Sequence, residues 1–370
     1  MIYLDYQATT PLAPEVREAM LPWLDRFGNP HSPHRLGREA GAAIEISTLE
    51  VAAALGDRSG KGRLIFTSGA TEAANWALQG AIMRGNRRKI VTAATEHACV
   101  LDTAEWLTRQ GVELTVLPVL SDGLVDLNAA AEAIDHRTAL VATMLVNNEI
   151  GVIQPTETIA RIAHDAGALF FCDAVQGFGR AGLPLDSCDL VAISAHKLHG
   201  PKGVGALWLR EGLDWPPLIH GGGQQHGLRS GTLSPMLCAG FGVAAKLADE
   251  RHAEDAAHVA SLFAIAETLF SDWTLNGAPV PRYPGNLNLR RTGVDAARLI
   301  SEVRELAFSA GSACASGSGR PSHVLRALGL TDAEARSSIR LGFGRYTTQD
   351  EIERAARLIN QAAVRQLEWA

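Results

Sequence analysis

The chain has 370 residues, 46% hydrophobic and 20% charged, with a formal net charge of -6. That balance excludes a fibre or a disordered chain and leaves no overall basic footprint for nucleic acid; the length suits one large domain with a smaller one attached. No apolar run approaches a membrane span, and Met1-Ile2-Tyr3-Leu4-Asp5-Tyr6 lacks the basic-then-apolar pattern of a signal peptide, so the expected location is the cytoplasm. In chain order, Tyr3 to Pro14 holds two prolines among polar residues and predicts an extended arm. Turn chemistry at Gly28–His34 precedes helical spacing over Gly37–Leu55. Leu64–Thr67 reads as a strand, Ser68–Glu72 as a tight turn and Ala73–Met83 as a helix. Strands then alternate with helices: strand Lys89–Ala94, helix Cys99–Gln110, strands Glu113–Leu117 and Thr138–Val146, helix Thr156–Ala166, strands Leu169–Cys172, Leu190–Ser194 and Val204–Leu209. This rhythm predicts an α/β fold, a mostly parallel sheet flanked by helices, with a smaller α/β C-terminal domain. The Pro- and Gly-containing stretch Asn276–Gly285 marks a boundary before shorter units. The expected organisation is a large ligand-binding domain over 15–250 and a small domain formed by 1–14 and 251–370.

The five cysteines, Cys99, Cys172, Cys188, Cys238 and Cys314, are odd in number and widely spaced, with no C-x-x-C pair. Neither a zinc site nor a disulfide framework is indicated, and the histidines show no metal-ligand spacing. Cys172 and Cys238 sit in apolar surroundings and read as core. Cys314 differs, because Ser309-Ala310-Gly311-Ser312-Ala313-Cys314-Ala315-Ser316-Gly317 gives a thiol little to be buried by.

The candidate site is organised around Ser194-Ala195-His196-Lys197. It follows an apolar strand and so emerges at the carboxyl end of the sheet, where open α/β sheets bind ligands. A lysine there can form a Schiff base with an aldehyde cofactor while neighbouring groups hold an anion, as pyridoxal 5'-phosphate requires. Other strand ends bring polar residues to the same edge: Thr95-Glu96-His97, Asn147-Asn148-Glu149 and Asp173-Ala174-Val175-Gln176. A carboxylate such as Asp173 can pair with the protonated pyridine nitrogen, His97 can stack on the ring, and Gln176 can bond its phenolic oxygen. The turn Ser68–Glu72 before a helix provides N–H and hydroxyl groups for a phosphate.

Several motifs, in this order, resemble the NifS/IscS-like cysteine desulfurases of the class V aminotransferase family, which have the PLP-dependent transferase type I fold. They are Tyr3–Pro11, Thr67–Glu72, Thr95-Glu96-His97, Val146–Gly151, Ser194–Lys197, Arg229–Thr232, Gly311–Cys314 and Arg340–Arg345. The resemblance implies that Lys197 carries the cofactor, with Asp173, Gln176 and His97 around its ring. Ala70, Thr71, Ser194 and His196 would bind the phosphate, joined by Thr232 of a second subunit, which makes the expected state a homodimer. Asn148 would lie beside cofactor and substrate, and Arg340 would grip the substrate carboxylate, a task suited to a guanidinium fork. Lys197, Cys314 and His97 would be catalytic, with Cys314 taking sulfur from L-cysteine as a persulfide and passing it to an acceptor protein. The expected roles are iron–sulfur cluster assembly, thio-cofactor synthesis or tRNA thiolation, without direct nucleic-acid or membrane contact. A selenocysteine lyase, or another class V pyridoxal-phosphate enzyme, is the alternative.

Overall fold

The computed structural model describes residues 1–310 and 321–368. The chain runs β1 (Ile2–Tyr3), α1 (Pro14–Met20), α2 (Arg35–Ala54), β2 (Gly62–Thr67), α3 (Ala70–Arg84), β3 (Lys89–Ala93), α4 (Ala98–Thr108), β4 (Glu113–Leu117), α5 (Leu127–Ala133), β5 (Thr138–Met144), α6 (Thr156–Asp165), β6 (Leu169–Asp173), β7 (Leu190–Ser194) and β8 (Gly205–Arg210). It continues through α7 (Pro235–Glu250), α8 (His252–Leu269), β9 (Thr274–Leu275), β10 (Asn286–Arg290), α9 (Ala296–Glu302), β11 (Leu306–Ala307), α10 (His323–Ala327), α11 (Asp332–Arg336), β12 (Ser338–Gly342) and α12 (Gln349–Glu368).

The main sheet has seven strands in the order β2-β8-β7-β6-β5-β3-β4. Strands β4, β3, β5, β6 and β7 are parallel, whereas β8 runs antiparallel to both β7 and β2. Parallel strands need a crossover, usually a helix; only the short stretch after Ser194 separates β7 from β8, so the chain turns back instead. Every residue of β5 and β7 is buried, as expected of strands covered on both faces. Successive side chains serve opposite layers. Phe170, Val141 and Val191 join the core with α2, α6, α7 and the C-terminal elements, while Phe171, Leu140 and Leu190 join that beneath α3 and α4.

Helix α7 is one that periodicity did not reveal. Its Gly240 and Gly242 weaken local helix propensity, yet a Cβ at Gly242 would lie 2.8 Å from the Ser47 backbone in α2. Close packing of the two helices therefore decides the residue. The stretch Asn276–Gly285, expected to be a boundary, is not a loose linker: the Ala278 N–H donates to the Asp122 carbonyl at 2.6 Å, and the Ile153 N–H to the Pro281 carbonyl at 3.1 Å. The amino-terminal arm pairs β1 in parallel with β11 and then returns to the main sheet, where the Thr10 N–H donates to the His196 carbonyl at 2.9 Å.

Candidate active site

Strand β7 delivers its last residue, Ser194, to the carboxyl edge of the sheet, and a single turn of 3-10 helix, Ala195–Lys197, carries the lysine over that edge. Beside it, β5 ends at Met144, β6 at Asp173, and β3 leads into His97. These ends enclose a cavity of about 500 Å³ whose walls include Lys197, Asp173, His97, Asn148, Gln176 and Arg340. The Lys197 ammonium donates to the carbonyls of Gln7 and Ala8 at 2.5 and 2.9 Å. Burial, followed by the nearby Arg340 and Arg180 cations, brings its pKa down from 10.5 to about 8. A buried amine that loses its proton so readily is a nucleophile near neutral pH.

Asp173 ends β6 on the same cavity, its Oδ1 accepting the Val175 N–H at 3.0 Å. Burial raises its pKa, while that N–H, His97 and Lys197 oppose the rise. A cation placed against it would be held strongly, which is the role a pyridinium partner demands. Glu96 is 1% exposed and takes the Met144 N–H on Oε1 at 2.7 Å. Burial first, then Asp173, pushes its carboxyl well above the usual carboxylate range. His97 caps α4 with Nδ1, which accepts the Cys99 N–H at 3.1 Å; the cap fixes the ring over the cavity wall.

The cavity is also lined by Ser68, Gly69, Ala70 and Thr71, together with Ser194, His196 and Lys202. Here a strand passes through a turn into the first turn of the 15-residue helix α3, a favourable seat for a phosphate. Glu72 in that turn would repel an anion, but its carboxylate accepts the Ser68 N–H at 2.8 Å and pairs with Arg229 at 2.9 Å. Burial and the surrounding Lys197, Lys202 and Arg180 charges lower the His196 pKa to about 4, leaving a neutral imidazole with Nδ1 3.2 Å from Thr9 Oγ1. A carboxylate, an amine and an anion cradle in one cavity are a donor set that fits pyridoxal phosphate.

Arg340 on β12 is 1% exposed and reaches the same cavity. Its Nη2 donates to Asp5 Oδ1 at 2.7 Å and its Nη1 to the Asn148 carbonyl at 2.9 Å, while the buried Nε has no partner among the described residues. That unused donor suits an incoming carboxylate. Gln176 is held by donating to the Gln7 carbonyl at 2.9 Å and accepting from Arg180 at 3.1 Å. Of the expected site residues, Ala70, Thr71, His97, Asn148, Asp173, Gln176, Ser194, His196, Lys197 and Arg340 all line the one cavity. Thr232 is not among its lining residues within this chain, and Cys314 lies outside the described residues.

Sequence reasoning left the arm without a job, yet Gln7, Ala8 and Thr9 form one wall and Asp5 holds Arg340. The cluster of Asp, Gln and Thr in an otherwise short arm was the available signal. It also gave Glu96 and Glu149 no role beyond their motifs.

The sequence matches the family described as Aminotransferase class-V over residues 2–355. It is 46% identical to the cysteine desulfurase IscS of Rickettsia bellii (strain OSU 85-389), with 97% of this chain and 90% of that relative aligned. The IscS of Rickettsia prowazekii (strain Madrid E) is 45% identical over the same shares. Among solved structures, a NifS-like protein superposes with a TM-score of 0.91 at 32% identity, covering 97% of this chain and 98% of the other. SspA in complex with cysteine superposes with a TM-score of 0.83 at 34% identity, covering 94% and 100%. A lysine, an aspartate and an arginine converging on one sheet edge, in a chain this similar along nearly its whole length, place the protein in the class V aminotransferase family, among its NifS/IscS-like cysteine desulfurases.

Proposed function

We propose that the protein converts L-cysteine to L-alanine with pyridoxal 5'-phosphate on Lys197, leaving the sulfur as a persulfide on Cys314. The observation that carries this reading is the buried Lys197 amine set in one cavity with Asp173 and Arg340. The names of the related chains favour the desulfurase over the selenocysteine lyase, and the solved complex of SspA with cysteine supports the choice of substrate.

When bound, the cofactor supplies an electron sink for charge developing at the substrate Cα. Asp173 would hold its pyridine nitrogen, Gln176 its phenolic oxygen, and His97 the ring face. Ala70, Thr71, Ser194 and His196 would hold the phosphate. Arg340 binds the substrate carboxylate, with Asn148 beside it. Lys197 Nζ, deprotonated in part near neutral pH, takes the Cα proton. Cys314 as thiolate attacks the substrate sulfur: an S–S bond forms, the C–S bond breaks, and protonation of the three-carbon fragment gives alanine.

The acceptor is a protein thiol in iron–sulfur assembly, thio-cofactor synthesis or tRNA thiolation, and the compartment is the cytoplasm. We read the chain as a large domain, 15–250, and a small one, 1–14 with 251–370; the break between α7 and α8 at Arg251 supports that division. The state is a homodimer in which Thr232 of each subunit completes the partner's phosphate site. Exposed apolar side chains on elements packed against α7 support an interface: Leu24 (68% exposed) and Phe27 (87%) after α1, and Ile46 (60%) and Leu49 (68%) on α2.

The test is mass spectrometry of the holoenzyme after incubation with L-cysteine. One added sulfur on Cys314, alanine release, and loss of both in Cys314→Ser with cofactor absorbance retained are expected. Full turnover in Cys314→Ser would overturn the sulfur-transfer role.

A further inference from the structure

The segment that carries Cys314 begins and ends on residues fastened to the cavity's surroundings. On its amino-terminal side Ser309 exchanges backbone hydrogen bonds with Arg340 at 2.6 and 3.2 Å, and its hydroxyl donates to Asp5 Oδ1 at 2.9 Å. On its carboxyl-terminal side the Ser322 hydroxyl donates to Glu149 Oε2 at 2.5 Å. Next to it, His323 Nε2 donates to the Glu96 carbonyl at 2.9 Å. Glu149 directly follows the cavity residue Asn148, and Glu96 directly precedes His97.

Glu149 does more here than cap a helix requires. Ser322 already caps α10 by accepting the Leu325 N–H at 3.2 Å. Glu149 is 0% exposed, and its Oε1 has no hydrogen-bond partner among the described residues. A buried carboxyl with one oxygen unpartnered lowers stability, and an apolar side chain of the same size would fill the space at less cost. Its backbone is already held, the N–H by Asn147 Oδ1 at 2.8 Å and the carbonyl by Asn288 at 3.0 Å, so the side chain is not needed to shape the turn.

We propose that Glu149 is a positioning residue for sulfur transfer: through Ser322 it fixes where the Cys314 segment rejoins the fold. This rests on the reading of Cys314 as the sulfur acceptor. Cys314 lies five residues after Ser309 and eight before Ser322. Losing the Ser322–Glu149 hydrogen bond loosens that junction while leaving Lys197, Asp173 and Arg340 untouched.

The experiment compares two reactions of the holoenzyme. Solvent exchange of the L-alanine Cα proton, followed by NMR, needs Lys197 and the cofactor but not Cys314. Persulfide formation from L-cysteine, followed by quenched-flow mass spectrometry, needs all three. Glu149→Ala and Ser322→Ala are each expected to slow persulfide formation about fivefold, the worth of one hydrogen bond. The double variant should be no slower than the slower single, while alanine exchange and cofactor absorbance stay at wild-type values. Glu149→Gln, which keeps an acceptor for Ser322, should stay within about twofold of wild type, and it preserves the test should Glu149→Ala fail to fold. Wild-type persulfide rates in both alanine variants, or alanine exchange falling in the same proportion, would overturn the proposal. A wild-type enzyme that exchanges alanine yet places no sulfur on Cys314 would instead refute the desulfurase reading on which it rests.

Discussion

Removing the bound cofactor and adding it back across a pH series tests the Lys197 environment directly, because only the neutral amine attacks the aldehyde. Lowering the lysine pKa from 10.5 to about 8 raises the neutral fraction at pH 7.5 from about one in a thousand to about one in four. The gain is about two-hundredfold, equivalent to on the order of 3 kcal/mol of differential interaction. His196, held down to about 4, stays neutral throughout such a series and adds no inflection above pH 6. Stopped-flow absorbance should therefore give a recombination rate that climbs with pH to a midpoint near 8. Removing a cation by Arg340→Met should move the midpoint up, and removing an anion by Asp173→Asn should move it down, following the signs of their charges at the amine. The native state binds fewer protons than the unfolded chain between about 8 and 10.5, so this group makes the apo-protein more stable as pH rises through that window. A midpoint near 10.5, or one unmoved by either substitution, would refute the argument.

Glu96→Gln should leave cofactor binding near wild type, since burial shifts the native carboxyl toward the neutral form that glutamine mimics; urea unfolding at pH 5 and pH 8 provides the sharper check. A carboxyl raised in the folded state loses stability as pH rises from its unfolded value, so the variant should lose less stability than wild type on going from pH 5 to pH 8. An equal loss would show that the Glu96 carboxyl is not raised in the folded state. Gly342→Ala places a Cβ 1.7 Å from Gln7 Oε1 and 2.8 Å from the Tyr6 nitrogen. The arm must shift, at a cost of about 1–3 kcal/mol, and calorimetry together with cofactor titration should show lower thermal stability and weaker binding; unchanged binding would detach the arm from the site. Phe27→Asp with Leu24→Asp should give monomers by light scattering and at least a tenfold loss in cofactor affinity, whereas fully loaded monomers would exclude a phosphate contact from Thr232 of a second subunit.

The sequence by itself determined the layered α/β architecture and most of the cofactor cavity. Apolar runs such as Leu190–Ile193 and Leu140–Met144 suit strands buried on both faces, as β7 and β5 are, and in a parallel sheet whatever follows such runs collects on one edge. Lys197, Asp173 and His97 were legible for that reason, since each stands directly after a run whose local pattern identifies it. Contacts between distant segments were decided by the tertiary structure alone. Nothing in the local pattern of Asp5 foretells a partner at Arg340, 335 residues away, nor does Glu149 announce Ser322. Helix α7 and the reversal of β8 were hidden likewise, one by glycines that only packing explains, the other by a short return that periodicity does not orient. Hydrophobic period is a property of neighbours along the chain, whereas pairing across it depends on how completed elements stack. The groups that tune the site, the arm and the buried carboxyls, belong to that second kind.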